Sequence, residues 1–265
     1  MLDIIKNSFN ERMSREEKIH LTREQLQVLI LKILFDIEGF KNLAFVGGTA
    51  LRIIFGLRRF SEDLDFSLIQ KRGYNFNKLS GTIQGQFKKY GFNVDVKEND
   101  RKIAQTMMFR FKDVLFNLGL SNLKEQKLSI GLEINTRPPG GWNTDISLIS
   151  KSFVFTVTHY DLPSLYTTKL HACFFRKYVK GRDFYDLVWY LGKRILPNFL
   201  LLNNAIAQTE GRRAVVTEEN FKKFLLEKLE NIDFAKVKKD VERFLVDKKE
   251  LKLLDGQLIK QLLLK

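Results

Sequence analysis

The feature that most constrains this chain is a change of rhythm at Pro163. Upstream, short segments alternate polar and apolar residues, the two-residue period of a strand with one buried face. Downstream the alternation stops, and apolar residues recur every three or four positions, as on a helix. Strand candidates are residues 43–46, 63–68, 92–96, 103–111, 127–135 and 153–157. Helical spacing is interleaved with them, at Leu26, Leu29, Ile30, Ile33, Leu34 and Ile37 and again over 77–90. Such intermixing predicts a mixed sheet with covering helices. After Pro163, helices are expected over 164–178, 183–191, 218–229 and 234–245, with a Lys-rich amphipathic helix over 247–265. The fold class is therefore α+β: a mixed-sheet domain with flanking helices over residues 1–160, then a helical domain over 161–265. Two units also suit a chain of 265 residues, since domains usually run to roughly 100–200.

Local signals refine this outline. Ser14 with Glu17, and Thr22 with Gln25, each have the spacing of a capping box at a helix start, and Gly39 is placed to end that helix. The run Leu43 to Val46 breaks at Gly47 and Gly48, after which a helix is expected from Thr49. Over 63–68, alternation puts Asp63, Asp65 and Ser67 on one face of a half-buried strand and Leu64, Phe66 and Leu68 on the other. Pro138, Pro139, Gly140 and Gly141 mark a loop.

Composition excludes several classes of function. At 44% hydrophobic and 29% charged residues, the chain is too apolar to be disordered. Its only cysteine, Cys173, rules out an internal disulfide framework and fits a reducing compartment. Beside Phe174 and Phe175 in a helical run, Cys173 reads as a small buried thiol, not a nucleophile. One Cys and three scattered His residues give no zinc-ligand spacing. No stretch approaches the ~18 apolar residues of a membrane span, and the N-terminus lacks the apolar core of a secretory signal, so the expected location is the cytoplasm. A net charge of +14 and pI near 9.7 create a field that concentrates polyanions, pointing to a phosphate-bearing partner.

The chemistry is expected around Asp63 and Asp65. Carboxylates two residues apart on a strand project from one side with Cα atoms ~6.5–7 Å apart, so both reach one divalent cation. A third carboxylate is expected from Glu133, which alternates with Leu132 and Ile134 on its own strand; Asp95 is the competing choice. Gly47 and Gly48 let a backbone approach a triphosphate closely, and the helix after them aims free N–H groups at phosphates. Helical spacing places Lys169 on a stripe with Leu165 and Cys173, where a partly buried lysine requires a phosphate or a carboxylate. Arg182, Asp183 and Asp186 read either as functional groups or as a helix-terminal acid with a surface ion pair. Arg58 and Arg59 read equally as a phosphate or RNA clamp and as a solvated basic loop.

Two linked motifs carry a resemblance. Phe45-Val46-Gly47-Gly48-Thr49-Ala50-Leu51, followed by Arg59-Phe60-Ser61-Glu62-Asp63-Leu64-Asp65-Phe66, resembles the AbiEii/AbiGii abortive-infection nucleotidyltransferases, which include the MenT toxins. Downstream, Lys169-Leu170-His171-Ala172 and Lys180-Gly181-Arg182-Asp183-Phe184-Tyr185-Asp186-Leu187 are similar to that family's Lys-containing and Arg-Asp-x-x-Asp motifs, in the same order. The resemblance covers roughly residues 40–70 and 160–192; beyond Ile195 no motif is recognised. Gly47-Gly48 departs from the Gly-Ser pair common in the wider polymerase-β-like superfamily.

The resemblance implies a nucleotidyltransferase-like sheet domain, with the helical domain completing a nucleotide pocket. It implies Mg²⁺ (or Mn²⁺) on Asp63 and Asp65, an NTP substrate with Ser61 near its phosphates, Lys169 on the triphosphate, and Arg182, Asp183 and Asp186 at the pocket. It further implies a toxin with a cognate antitoxin and an RNA acceptor at the 3′ end of tRNA. Transfer to a protein hydroxyl and a non-catalytic nucleotide- or RNA-binding module are the alternatives. The basic charge disfavours the first, and the joint presence of Asp63, Asp65 and Lys169 disfavours the second.

Overall fold

The computed structural model describes residues 1–211 and 215–264, without the side chain of Leu264. Helix α1 (Leu2–Asn7) precedes α2 (Arg15–Asp36), whose start is a complete capping box: Glu17 N–H donates to Ser14 Oγ, and the Glu17 carboxylate accepts from Ser14 N–H. The second expected box is not a helix start. Thr22 lies inside α2, buried, with its hydroxyl donated to the Lys18 carbonyl, because the capping pattern also fits one helical turn. Strand β1 (Leu43–Val46) runs directly into α3 (Gly47–Phe55), so the helix opens on the glycine pair itself and not at Thr49. Then follow β2 (Leu64–Leu68), α4 (Phe76–Lys89), β3 (Val94–Asn99), β4 (Ala104–Phe111), the short α5 (Val114–Asn117), β5 (Leu128–Asn135), β6 (Thr144–Ser150) and β7 (Val154–Tyr160).

The strands form one mixed seven-stranded sheet in the order β3-β4-β5-β2-β1-β7-β6. Strand β2 is central, antiparallel to β1 and parallel to β5. Along β5, Leu128, Ile130, Leu132 and Ile134 are buried on one face, while Glu133 on the other is exposed. Met107, Phe109 and Phe111 of β4 join the buried face. Phe87 of α4 meets Phe109 and Phe111 edge-on at 5.2 and 5.1 Å, contacts each worth about 0.5–1.5 kcal/mol beyond area burial. Two expectations need correction. Ser67 is 5% exposed, so β2 is covered at that end on both faces and not half-buried. Residues 26–31 of α2 are all buried, Gln27 included, so the helix is enclosed on more than one face.

The second half is helical: α6 (Leu162–Phe175), α7 (Gly181–Gly192), α8 (Phe199–Glu210), α9 (Glu218–Leu229), α10 (Phe234–Val241) and α11 (Gly256–Leu264). Asp161 caps α6 by accepting from Ser164 N–H at 2.9 Å, with Pro163 in the first turn. The expected tail helix is divided: a 3₁₀ turn over Lys248–Leu253 ends where Asp255 Oδ1 accepts from Gln257 and Leu258 N–H and starts α11 afresh. Lys265, at the end of that expected helix, lies outside the described residues.

The chain forms two compact units. The sheet unit is Met1–Ala50, Ser61–Pro138 and Ile146–His159; the helical unit is Leu51–Phe60, Pro139–Asp145 and Tyr160–Lys265. Residues 51–60 and 139–145 therefore belong with the helices, although they precede residue 160.

Candidate active site

In the sheet unit, register brings the expected carboxylates together. Asp65 of β2 is paired in register with Glu133 of β5, and Glu133 with Thr106 of β4, so one row crosses three strands on the face opposite the buried leucines. Adjacent strands lie about 4.8 Å apart, which puts Glu133 directly beside Asp65. Asp95, the competing acid, sits on the edge strand β3 with Lys112 and Lys127 at 2.8 and 2.9 Å. Those two ammonium groups hold its carboxyl low, at a pKa of about 2.

Both aspartates rest on glycines. Gly47, at φ +78°, has the Asp65 carboxylate where a side chain would begin: an added Cβ would lie 2.9 Å from Asp65 Cγ and closer still to Oδ2. A Cβ on Gly131 would lie 2.7 Å from Asp63 Oδ1, and the Gly131 N–H already donates to that oxygen at 3.1 Å. The segment between β1 and β2 is also clamped. Gln27 Nε2 donates to the Ser61 carbonyl at 3.1 Å, and the Thr49 hydroxyl donates to the Asp63 carbonyl. Gln27 and Thr49 are both fully buried. Thr49, expected at the phosphates, thus gives its side chain to the backbone that carries Asp63. Gln27 was missed altogether, its only signal being a polar residue in an apolar helical run.

In the helical unit a second cluster forms around Asp186, which is fully buried. Arg59 grips it through two bonds, Nε to Oδ1 at 2.6 Å and Nη2 to Oδ2 at 2.7 Å. Lys169 Nζ lies 2.9 Å from Asp186 Oδ2 and 3.0 Å from Asp183 Oδ1, and Arg176 reaches Asp183 Oδ2 at 3.1 Å. Burial alone would push the Lys169 ammonium toward losing its proton, but Asp186 and Asp183 outweigh it and its pKa is raised. Burial pushes the Asp183 carboxyl up, yet Lys169 and Arg176 win and hold it low. Arg182 stacks its guanidinium on Phe244 at 4.4 Å. Cys173 is buried, and its thiol is raised by that burial, as an inert core group is.

The alternatives open for the motif residues narrow here. Lys169, for which the sequence asks a phosphate or a carboxylate, has two carboxylate partners within its own unit. Asp183 and Asp186 are not surface acids; they are 4% and 0% exposed. Arg59 belongs to no solvated loop, being 2% exposed and ion-paired, whereas Arg58 stays exposed beside Glu250 at 3.2 Å.

Comparison with known proteins decides the identity. The family described as nucleotidyl transferase AbiEii toxin, type IV TA system, matches residues 29–255, most of the chain. This chain belongs to that family. It is a nucleotidyltransferase, of the kind that serves as the toxin in toxin–antitoxin systems. The fold agrees with solved structures. JHP933 from Helicobacter pylori is 20% identical, with a TM-score of 0.51 over 97% of this chain and 95% of that one. A structure described as a candidate nucleotidyltransferase from H. pylori is 21% identical, with a TM-score of 0.53 over 92% and 95%. None of the curated proteins matches the chain. Among the described residues, no helix of this enzyme is long and apolar enough to cross a membrane.

The donor chemistry of Asp63, Asp65 and Glu133 fits a hard divalent cation, because carboxylate oxygens are its preferred ligands and the two glycines leave room for Asp63 and Asp65. Among the described residues, no three His, Cys, Asp or Glu side chains converge on one point. Asp65 and Glu133 are neighbours in register, Asp63 stands just before β2 against Gly131 of β5 and not on the strand as expected, and the three side chains do not form a closed cage.

Proposed function

We propose that this enzyme transfers a nucleoside monophosphate from an NTP to a hydroxyl at the 3′ end of RNA, tRNA in particular, as the toxin of a cytoplasmic toxin–antitoxin pair. The acceptor hydroxyl releases its proton to solvent as its oxygen bonds to the α-phosphorus, the bond from that phosphorus to the β-phosphate bridge breaks, and pyrophosphate leaves. The observation that carries this reading is the glycine-seated pair Asp63 and Asp65 with Glu133 in register beside it. These three residues would hold Mg²⁺ or Mn²⁺, and a bound cation neutralises charge on the phosphates and the departing pyrophosphate. Gly47 and Gly48 keep the backbone bare at the start of α3, where N–H groups favour phosphate oxygens, with Ser61 in the clamped segment that follows.

Lys169, Arg182, Asp183 and Asp186 take the nucleotide-facing part that family resemblance assigns them. An ammonium has three donors and Lys169 uses two on carboxylates, leaving one for a phosphate oxygen. The RNA acceptor is supported by the net charge of +14, far more than one triphosphate needs.

Incubating the purified enzyme with Mg²⁺, each labelled NTP in turn and total cellular RNA tests the reading on a single gel. Label on RNA, lost in Asp63→Asn and in Asp65→Asn with unchanged circular dichroism, is the expected result. Label on protein alone would favour a protein hydroxyl as acceptor, and NTP binding without any transfer would leave a non-catalytic module.

A further inference from the structure

The seven residues from Arg176 to Arg182, which make up the loop between α6 and α7 and the first two residues of α7, contain four cations and no acid. They also contain one of the most exposed aromatic rings of the protein: Tyr178 is 71% exposed, and Val179 beside it 45%. An exposed tyrosine ring wastes apolar area in water unless a flat partner covers it. The cations around it are not equivalent. Arg176 is drawn to Asp183, and Arg182 lies on Phe244. Lys177 and Lys180 remain exposed, with Lys177 Nζ 5.5 Å from the centre of the Tyr178 ring. Next to the loop, Lys228 of α9 covers Phe175 at 4.5 Å and Phe224 at 5.9 Å. The loop's far end is fixed, since Gly181 N–H donates to Asp240 at 2.7 Å and Gly181 is buried against Val237 of α10. An exposed ring flanked by lysines on an anchored loop is a stacking platform with phosphate contacts on either side, the means by which proteins hold unpaired bases.

We propose that this loop binds single-stranded RNA: a base stacks on Tyr178, and Lys177 and Lys180 contact the phosphates flanking it. The inference rests on the reading of RNA as acceptor and names the residues that grip it. It replaces Arg59, whose charge is consumed by Asp186. An unpaired end is preferred to a duplex, because a paired base keeps its faces within the helix stack.

Binding is measured with the whole enzyme and a fluorescent RNA hairpin carrying a short single-stranded 3′ overhang, against the same hairpin with a blunt end. Tyr178→Ala is expected to weaken overhang binding by roughly 5- to 100-fold, Tyr178→Phe to preserve it, and neither to change blunt-end binding or Mg²⁺-NTP binding. Equal overhang affinity in wild type and Tyr178→Ala overturns the inference. So does a polyglutamate peptide that displaces the overhang as well as RNA does, which would assign the loop to an acidic protein. Transfer is scored separately: Tyr178-dependent overhang binding without label on RNA keeps the loop as an RNA site and removes RNA as the acceptor, whereas labelled RNA with Tyr178-independent binding does the reverse.

Discussion

Replacing Gly47 by alanine tests the seat of Asp65 with a built-in control. The substitution does two things at once. It puts a side chain at φ +78°, a left-handed conformation costing a non-glycine residue about 1–2 kcal/mol. It also drives a methyl group into the Asp65 carboxylate, where Cγ would lie 2.9 Å away against an ordinary contact of 3.4 Å or more. The carboxylate must retreat by about 1 Å, a displacement that costs on the order of 100-fold in rate when the group positions a reacting centre. Gly73 separates the two effects: it has φ +80° with nothing within 4 Å of its added Cβ, so Gly73→Ala suffers the strain alone. Both variants should lose stability in far-UV circular dichroism melts, Gly47→Ala at least as much as Gly73→Ala, and only Gly47→Ala should lose kcat/KM for NTP-dependent labelling. Gly131→Ala should also lose activity, because its methyl meets Asp63 Oδ1 at 2.7 Å. The reasoning is refuted if Gly47→Ala stays within threefold of Gly73→Ala in activity.

Other consequences are open to direct measurement. Asp186→Asn strands the buried Arg59 cation, leaves Lys169 with Asp183 alone and should destabilise by about 3–5 kcal/mol, while Arg59→Lys, which keeps the charge but loses the two-bond grip, should cost less. The readout is denaturant unfolding by tryptophan fluorescence, since both tryptophans, Trp142 and Trp189, lie in the helical unit. Because the folded-state pKa of Asp183 is held low, its stabilisation is complete above the unfolded carboxyl value of ~3.9 and lost as pH falls through the lower folded value. Stability of Asp183→Asn should accordingly change less than wild type between pH 5 and 2; an unchanged acid limb would remove Asp183 as its source. Glu133→Gln should raise the Mg²⁺ concentration for half-maximal activity by roughly tenfold or more, whereas Asp95→Asn, already neutralised by Lys112 and Lys127, should leave it alone.

Local order was readable wherever one period governed a segment. The run from Leu43 to Val46 matched β1, residues 127–135 came within one residue of β5, and 218–229 matched α9, because each presents a clean burial pattern. Strand β6 was missed for the opposite reason. Ile146 and Leu148 are 71% and 64% exposed while Ile149 is buried, so hydrophobicity along this edge strand does not report the pleat. Helix α8 was missed because Phe199, Leu200, Leu201 and Leu202 stand consecutively and hide the helical period. Glu133 was legible, since alternation alone gives its face; its register against Asp65 was not, because strand pairing depends on partners distant in sequence. The same holds for the clamps from Gln27 and Thr49, which act on a segment that no local pattern connects to them.

Arg58 and Arg59 show how this limit bears on function. As neighbours in sequence they were indistinguishable, yet one is exposed and the other pairs with Asp186, 127 positions away. The cluster balances itself: buried Arg59 and Lys169 face buried Asp183 and Asp186, so motif cations contribute little net field at the surface. The +14 charge must then act through exposed lysines such as Lys177 and Lys180, and counterion release follows those residues. RNA affinity should fall roughly tenfold or more between 50 and 200 mM salt for several phosphate contacts, and Mg²⁺-NTP affinity should fall less. Lys177→Ala with Lys180→Ala should flatten the RNA slope by about 0.7 per lost single-strand contact. Arg59→Lys, measured where it is still folded, should leave that slope untouched. A slope that follows Arg59 and ignores the two lysines would place the working charge in the buried cluster after all, and equal, shallow slopes for RNA and NTP would remove RNA as the acceptor.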